Sequence, residues 1–317
     1  MILCSGSIAY DYLMSFPGYF KDHILPDRLD SLSLSFLVDT MIKQRGGTAP
    51  NIAYTLALLG EKPWVVGTVG EDFEDYRKWL DDHGVNISFI RVIHGKYTAS
   101  FFANTDLANA QIASFYTGAM ANASEISLHE FKNNSPELVV ISPNDPKTMR
   151  QYSEECQELK IPYIYDPSQQ IVRIDPEDAR VGVMGCTSLF VNDYEYTLLQ
   201  KHTGLTHDQV LAKAQFVVVT NGEKGAFIYT EGKQYIIPIV HPSQIADPTG
   251  VGDAFRGGFL RGYSLKLDWQ TCGQMGALAA TYCLEQRGTQ NHYYTRAEFV
   301  ARYRQNFEDK GVLDILL

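Results

Sequence analysis

Short, uninterrupted apolar runs recur along the chain, and each is bounded by polar or turn-forming residues. They are Ile2–Cys4, Trp64–Val66, Leu138–Ile141, Tyr163–Tyr165, Leu189–Val191 and Phe216–Val219. Continuous rather than alternating apolarity is typical of β-strands that are covered on both faces of a sheet. These runs therefore predict the inner strands of a parallel sheet.

Helical patterns lie between these runs. Apolar residues recur at spacings of three and four over Asn51–Leu59, and Gly60 follows as a residue suited to the end of a helix. Phe73–His83 has the same character and is followed by Gly84. Because strands that alternate with helices form βαβ units, the sequence predicts an α/β fold with helices on both faces of a mostly parallel sheet.

Two segments depart from this alternation. Leu32–Lys43 and Ile87–Tyr116 have strand-like patterns and lack a helical period. Ligands of doubly wound sheets bind at the carboxyl ends of the parallel strands. We therefore expect a single domain over residues 1–317, with a small β-sheet lid formed by the inserted segments 12–46 and 87–118. An extension of the main sheet at its edge is the alternative that the pattern leaves open.

Composition and charge narrow the class of protein. The 317 residues include 27 Lys and Arg against 37 Asp and Glu, which gives a formal net charge of −10. An acidic chain argues against nucleic acid or an anionic membrane surface as a partner. No apolar run approaches the ~18 residues that a membrane span needs. The five cysteines are scattered without a C-x-x-C pair, which favours buried thiols and a cytoplasmic protein.

The stretch Asp247-Pro-Thr-Gly-Val-Gly-Asp253 carries the strongest chemical signal. Gly250 and Gly252 permit a turn whose N–H groups point one way, and a helix is predicted directly after it over Ala254–Gly262. A glycine turn that enters a helix is a site for anions. Asp253 would lie beside that anion, where a carboxylate can accept the proton of an attacking hydroxyl. A merely favourable carboxylate in a first helical turn is the alternative.

Familiar phosphate-binding motifs of other folds are missing from the sequence. No G-x-x-x-x-G-K-[ST] loop occurs, and the turn at Gly250 lacks the third glycine of G-x-G-x-x-G. A P-loop enzyme is therefore excluded, and a dinucleotide-dependent hydride transferase is disfavoured.

The stretch ending at Asp253 resembles the signature of the ribokinase-like (PfkB) family of sugar and nucleoside kinases. Three further segments are similar to motifs of that family and occur in the family's order: Gly46-Gly47-Thr-Ala-Pro-Asn51, Asn192-Asp-Tyr-Glu195 and Thr220-Asn-Gly222-Glu-Lys-Gly225. Other segments resemble the bacterial adenosine kinases within the family: Gly6–Met14, Ser33–Asp39, Gln111–Met120 and Asp166–Gln170.

This resemblance implies a ribokinase-like three-layer α/β domain with a β lid. It also implies a kinase that uses ATP and Mg²⁺ to phosphorylate the 5′-hydroxyl of adenosine, giving AMP in purine salvage. A PfkB-type kinase for ribose or fructose, or for another nucleoside, stays open. So does a nucleoside sensor without catalysis, although a sensor has no use for a base beside a phosphate site.

The resemblance also assigns roles to residues around the transferred group and the acceptor. Asp253 would be the base, with Gly250, Val251 and Gly252 forming the phosphate nest. The acceptor nucleoside or sugar would be held by Ser7, Asp11, Gly47, Asn51, Phe101, Phe115, Gln169, Gln170 and Arg173. Among these, Asp11 and Asn51 would grip the ribose hydroxyls, and the two phenylalanines would sandwich the base.

The remaining assignments concern ATP, metal ions and assembly. Asn192, Glu195, Thr220, Gly222 and Gly225 would contact the nucleotide, with Glu195 holding Mg²⁺ through water. Asp247 and Thr249 match the place where the family binds a monovalent cation such as K⁺. Ser35 and Phe36 would reach a neighbour's substrate pocket in a homodimer formed through the lid. From the residues alone, helix caps, turns and lid packing are the competing explanations.

Overall fold

The computed structural model describes residues 1–25, 30, 33–131 and 135–317. Its strands are β1 (Ile2–Ser5), β2 (Ala9–Ser15), β3 (Thr40–Gly46), β4 (Trp64–Val69), β5 (Asn86–Val92), β6 (Ala99–Thr105), β7 (Gln111–Tyr116), β8 (Leu138–Ile141), β9 (Tyr163–Tyr165), β10 (Ser188–Asn192), β11 (Phe216–Thr220), β12 (Ala226–Thr230) and β13 (Lys233–Ile237). Its α-helices are α1 (Thr48–Leu58), α2 (Glu74–Asp82), α3 (Pro146–Leu159), α4 (Pro176–Gly185), α5 (Asp193–Thr203), α6 (His207–Leu211), α7 (Val251–Ser264), α8 (Trp269–Leu284) and α9 (Arg296–Asn306).

A nine-stranded sheet forms the middle layer, in the order β13-β12-β11-β10-β9-β8-β1-β4-β5. Neighbouring strands from β11 to β5 are parallel, and β12 and β13 are joined to β11 by antiparallel pairing. Every apolar run singled out in the sequence is a strand of this sheet. The predicted α/β fold with a mostly parallel sheet is confirmed.

Both faces of the sheet are covered by helices, which explains the continuous apolarity of its strands. Ile2 and Cys4 point to the side packed by α1, α2, α7 and α8. Leu3, between them, points to the opposite side, where α3, α4 and α5 pack. Alternate residues of one strand thus enter two separate cores, so most positions along the strand are apolar. Each cysteine is a buried free thiol within these layers.

The helices begin and end where the sequence supplies local signals. Asp145 and Asp175 each accept a backbone N–H bond at the start of a helix, and each precedes a proline in the first helical position. The predicted helix over Asn51–Leu59 is α1, which begins three residues earlier than expected at Thr48. Gly60 follows it with φ +82°, a conformation that glycine adopts without strain.

A second, four-stranded sheet has the order β3-β2-β6-β7. β2 pairs antiparallel with β3 and parallel with β6, and β6 pairs antiparallel with β7. This sheet, the lid, lies at the carboxyl ends of the large sheet: Gly70, directly after β4, donates to Thr98 Oγ1 at 3.0 Å, directly before β6.

Two of the expected boundaries of the lid differ from the structure. Residues 87–92, expected in the lid, belong to β5, which pairs with β4 at the edge of the large sheet. An edge strand that is only partly covered has the same alternating pattern as a lid strand, so the period does not distinguish them. In the segment over Leu32–Lys43, the strand begins only at Thr40, and Leu32 lies outside the described residues.

None of the helices in the described part of the chain combines enough length with enough apolar character to cross a membrane.

Candidate active site

A cleft of about 760 Å³ lies between the lid and the carboxyl ends of the large sheet. Most of the residues singled out in the sequence line it: Ser7, Asp11, Gly47, Asn51, Phe101, Phe115, Gln169, Gln170, Arg173, Asn192, Glu195, Thr220, Thr249, Gly250, Gly252 and Asp253. These residues come from segments far apart in the chain. The topology therefore assembles one site from the separate motifs.

The glycine turn before α7 is held by side chains as well as by its own backbone. Gly250 precedes α7 with φ +77°, and a Cβ added to it would lie 2.9 Å from the Thr289 side chain. Asp247 accepts from the N–H groups of Thr249 at 2.9 Å and Gly288 at 3.0 Å. Asp247 thus stabilises the turn through these backbone hydrogen bonds and does not line the cleft. The N-terminus of a 14-residue helix faces the cleft at this turn, which suits an anion.

Asp253 lies in the first turn of α7, half-buried on the cleft wall. Its Oδ2 accepts a hydrogen bond from Asn51 Nδ2 at 2.8 Å. Burial raises the pKa of the Asp253 carboxyl, while the Arg256 guanidinium and the Asn51 amide hold back part of that increase. A carboxylate with a raised pKa is a stronger proton acceptor than an exposed one, as a general base requires.

The consecutive glycines between β3 and α1 allow two parts of the site to approach each other. Gly47 has φ +94°, and a Cβ on it would lie 2.4 Å from the carbonyl oxygen of Ser7. A Cβ on Gly46 would lie 2.6 Å from Asp11 Oδ2. Larger residues here would push Asp11 and the start of α1 apart.

Asp11 itself sits in an unfavourable environment for a charge. Burial, together with the nearby carboxylates of Asp247 and Asp253, raises the pKa of Asp11 to about 6. Hydrogen bonds from hydroxyl groups of a ligand would relieve this cost, since they favour the ionised carboxylate.

Three residues form a row across one face of the lid. Phe101 on β6 is the register partner of Asp11 on β2, and Phe115 on β7 is in turn the partner of Phe101. Side chains of directly opposed residues point to the same face of a sheet. The row therefore presents a carboxylate followed by two aromatic rings to the cleft.

The opposite wall carries the polar side chains of a short helical turn over Ser168–Val172. Gln169, Gln170 and Arg173 line the cleft from this turn. The turn is held to the start of α5, because Ser168 Oγ donates to Glu195 Oε1 at 3.1 Å.

The motif of Asn192 and Glu195 forms a reciprocal cap at the start of α5. Asn192 Oδ1 accepts from the Glu195 N–H at 2.7 Å, and Glu195 Oε2 accepts from the Asn192 N–H at 2.8 Å. The cap explains the spacing of the two residues without any ligand. Both side chains still line the cleft at the end of β10.

Several predicted residues lie outside the lining of the cleft. Asp247 is part of the turn before α7, and Val251 is the first residue of α7. Gly222 and Gly225 belong to the tight connection from β11 to β12, where a Cβ on Gly225 would lie 2.0 Å from the Ile237 carbonyl oxygen. Phe36 packs edge-on against Phe16 and Phe20 of its own chain at 5.0 and 4.8 Å between ring centres, and its neighbour Ser35 is exposed.

Sequence reasoning missed an ion pair in the wall of the cleft, where Arg256 is a lining residue. Arg256 Nη2 donates to Asp166 Oδ1 at 2.7 Å, and the two side chains are about 90 and 99% buried (10 and 1% exposed). A Cβ on Gly252 would lie 2.8 Å from Arg256 Nη1, so the glycine turn leaves room for the guanidinium. The sequence did offer one indication that Arg256 belongs to the site: it follows Asp253 by three positions, and residues three apart share one face of a helix.

The parallel sheet, the lid and the acidic glycine turn together define the ribokinase-like class of phosphotransferases. The sequence profile described as "pfkB family carbohydrate kinase" matches residues 18–296. The chain belongs to this family, whose members transfer a phosphoryl group to a hydroxyl group of the acceptor.

Relatives with similar sequences are named as nucleoside kinases. The nucleoside kinase of Methanocaldococcus jannaschii is 27% identical over 307 residues, which cover 96% of this chain and 97% of the relative. The structure of Burkholderia thailandensis nucleoside kinase in complex with inosine has a TM-score of 0.87 and 36% identity, covering 97 and 99% of the two chains. A structure of the same Burkholderia enzyme in complex with ADP-inosine has a TM-score of 0.84 and 38% identity, covering 97 and 96%.

Proposed function

We propose that this chain is an ATP-dependent nucleoside kinase that phosphorylates the 5′-hydroxyl of adenosine. The row of Asp11, Phe101 and Phe115 is the observation that carries the proposal. A free sugar would bind the Asp11 carboxylate and leave both phenylalanine rings without a partner. A nucleoside has a ribose that binds the carboxylate and a base that stacks on the rings. The named activity of the relatives supports the same substrate class.

Inosine is a second candidate acceptor, because the Burkholderia relative has been seen in complex with it. The side chains of Gln169 and Gln170 each offer an amide donor and an acceptor to the edge of a base. Rotation of these amides would suit either purine. The choice of adenosine rests on the segments that resemble bacterial adenosine kinases.

In the proposed reaction, Asp253 accepts the proton of the 5′-hydroxyl. Asp11 and the free hydrogen of Asn51 Nδ2 hold the ribose, so that the hydroxyl faces the glycine turn. The N–H groups at Gly250–Gly252 and the N-terminus of α7 stabilise the negative charge of the transferred group. Positioning and charge stabilisation of this kind account for most of the catalysis in phosphoryl transfer.

The residues present fit a magnesium nucleotide held mainly through its phosphates. No cluster of three or more metal-ligating side chains occurs in the described part of the chain. Glu195 already accepts hydrogen bonds at both carboxylate oxygens, which suits contact with magnesium through water. When bound, Mg²⁺ neutralises phosphate charge. Asn192 and Thr220 line the same side of the cleft as Glu195, and Gly222 and Gly225 form the loop after Thr220. The proposed place of a K⁺ ion is the turn over residues 247–249.

We expect kcat/KM for adenosine to exceed that for ribose or fructose by at least ~100-fold, since only the nucleoside engages both rings. Replacing Phe115 with alanine should lower adenosine use by roughly tenfold or more and leave residual ribose use almost unchanged. The measurement is steady-state phosphorylation of each acceptor with Mg-ATP. Faster use of ribose or fructose, or equal losses on both acceptors, would contradict the nucleoside assignment.

Phe102→Ala is the matched control for that substitution. Phe102 follows Phe101 in β6 but points to the other face of the lid, where it stacks on Tyr12 at 4.8 Å. It is 38% exposed, against 40% for Phe115, so the two truncations remove similarly exposed rings. Only the Phe115 variant should change the ratio of adenosine to ribose activity.

We further propose that two copies associate through their lids. β7 is an edge strand whose residues are all exposed, and Met41 and Ile42 on the other edge strand are 64 and 46% exposed. Unpaired edges with exposed apolar side chains favour association with a second chain. Light scattering at micromolar concentration should give the mass of a dimer. A monomer with full activity would exclude this arrangement.

A further inference from the structure

A chain of hydrogen bonds leads from the backbone of β3 to the carboxyl group of Asp253. Tyr76 Oη donates to the Gly46 carbonyl oxygen at 2.9 Å. Gln290 Nε2 donates to Tyr76 Oη and also to Asn51 Oδ1, the latter at 2.8 Å. Asn51 Nδ2 then donates to Asp253 Oδ2 at 2.8 Å. Gln290 is 1% exposed and is absent from the lining of the cleft.

Each bond in this chain fixes the direction of the next one. A carbonyl oxygen can only accept, so the single hydroxyl hydrogen of Tyr76 is directed to Gly46. Tyr76 Oη must therefore accept from Gln290, which turns the NH₂ group of Gln290 toward both Tyr76 and Asn51. Asn51 must accept that bond through its oxygen. Its own NH₂ group then faces Asp253.

The reverse orientation of Asn51 would have the opposite effect on the site. It would place Oδ1 of the amide against a carboxylate oxygen, and two acceptors without a hydrogen between them repel each other. Asn51 is 4% exposed, so water does not replace a lost partner freely. The orientation of one buried amide therefore decides whether Asp253 receives a hydrogen bond on this side.

We infer that Gln290 is a positioning residue: it fixes the Asn51 amide so that Asn51 Nδ2 donates to Asp253. This inference rests on the proposed function, in which Asp253 receives the proton of the acceptor hydroxyl. Gln290 acts only through Asn51, because it does not line the cleft.

The other charged or titratable groups around Asp253 make this donation important. They are Arg256 on α7, Glu195 on α5, Asp166 after β9, Asp11 on β2 and Cys283 on α8. The carboxylates among them oppose the ionised state of Asp253, and the buried Cys283 thiol is neutral because burial raises its pKa to about 12. The Arg256 charge gives the larger support to the ionised carboxylate, and the Asn51 amide, which donates to it directly, gives the second.

Gln290→Met retains the length of the side chain and removes its hydrogen bonds. We expect the pH midpoint of kcat to rise by about one unit, and kcat at pH values below that midpoint to fall by about tenfold, because a hydrogen bond to the ionised state is weakened. KM for the nucleoside should change by less than kcat, since Asp11, Phe101 and Phe115 are unaffected and only the contribution of Asn51 to ribose binding is weakened. Gln290→Glu should have a larger effect, because its carboxylate attracts Asn51 Nδ2 away from Asp253.

Gln274→Met is the matched control. Gln274, on α8, accepts a hydrogen bond from Tyr303 Oη, so this variant also removes a glutamine–tyrosine bond. Neither residue lines the cleft. Its kcat and pH midpoint should equal those of the wild type. Tyr76→Phe releases Gln290 with almost no change of volume and provides a second test if Gln290→Met does not fold.

The titration of Asp253 can also be measured without catalysis. In protein labelled with ¹³C at aspartate carboxyl groups, the Asp253 signal is assigned by its loss in Asp253→Asn. A higher titration midpoint in Gln290→Met or Tyr76→Phe supports the inference, and an unchanged midpoint in both variants overturns it. If the midpoint rises in a protein that phosphorylates no nucleoside, the positioning role stands and the proposed function fails.

Discussion

The Asp253→Asn variant is expected to turn over at least ~100-fold more slowly than the wild type, because the amide has the shape of the carboxyl group but cannot accept the proton. Asp253 lies in the first turn of α7, with its Oδ2 bonded to Asn51 and the glycine turn at its side. The amide can still fill this position, so KM for the nucleoside should change little. Initial rates at saturating Mg-ATP measure the effect.

A matched substitution separates the loss of a base from a general effect of the change. Asp208 lies in the first turn of α6 and is exposed outside the cleft. Asp208→Asn makes the same chemical change at the same kind of helical position and should leave turnover unaltered. If Asp253→Asn retained most of the wild-type turnover, Asp253 would not be the base.

Replacing Arg256 with methionine should lower the free energy of unfolding by about 3–5 kcal/mol at pH 8. The substitution leaves the Asp166 carboxyl group, which is 1% exposed, without its guanidinium partner, so that at pH 8 it must either carry an unpaired charge or take up a proton, each at a cost. Removing one member of a buried ion pair is costly because the remaining charge loses water and partner together. Urea unfolding monitored by tryptophan fluorescence measures the difference.

The dependence of this loss on pH has a definite sign. Burial raises the pKa of Asp166, and the Arg256 guanidinium offsets part of that rise, so the variant should have a higher pKa still. A carboxyl group whose pKa is raised by folding stabilises the native state below its unfolded pKa, and this contribution is lost as the pH rises through the folded pKa. The loss of unfolding free energy in Arg256→Met, relative to the wild type, should therefore become smaller as the pH is lowered from 8 to 5.

A double variant distinguishes the uncompensated charge from simple loss of packing. Arg256→Met combined with Asp166→Leu removes both charges and should recover much of the lost stability. An exposed pair provides the control: Arg77→Met removes the partner of Glu74 on the surface of α2 and should change stability little. If the single and double variants lost equal amounts of unfolding free energy, the charge of Asp166 would not be the cause of the lower stability.

Local patterns predicted the parts of the molecule that depend on local physics. The apolar runs are strands of the large sheet because both faces of each strand are covered, and Gly47 and Gly60 flank α1 because both have positive φ. The chemistry of the turn at Gly250 was also visible in the sequence, since the turn and the helix after it are contiguous.

Contacts between distant segments were beyond the reach of these patterns. Asp166 and Arg256 are 90 positions apart, and Gln290 reaches Asn51 across 239. Nothing in the spacing of such residues indicates that the topology brings them together. The prediction that β5 belongs to the lid was wrong for a related reason. An alternating pattern indicates that one face of a strand is covered, but it does not indicate which sheet contains the strand.

The row of Asp11, Phe101 and Phe115 has an evolutionary consequence. Its aromatic members belong to β6 and β7, whereas Asp253 lies on α7, directly after the turn at Gly250, and α7 packs against the other sheet. Selection can therefore alter what the protein recognises by substitutions in two lid strands, without disturbing the residues proposed for phosphoryl transfer. A scaffold divided in this way can acquire new acceptors through single mutations while keeping its original chemistry.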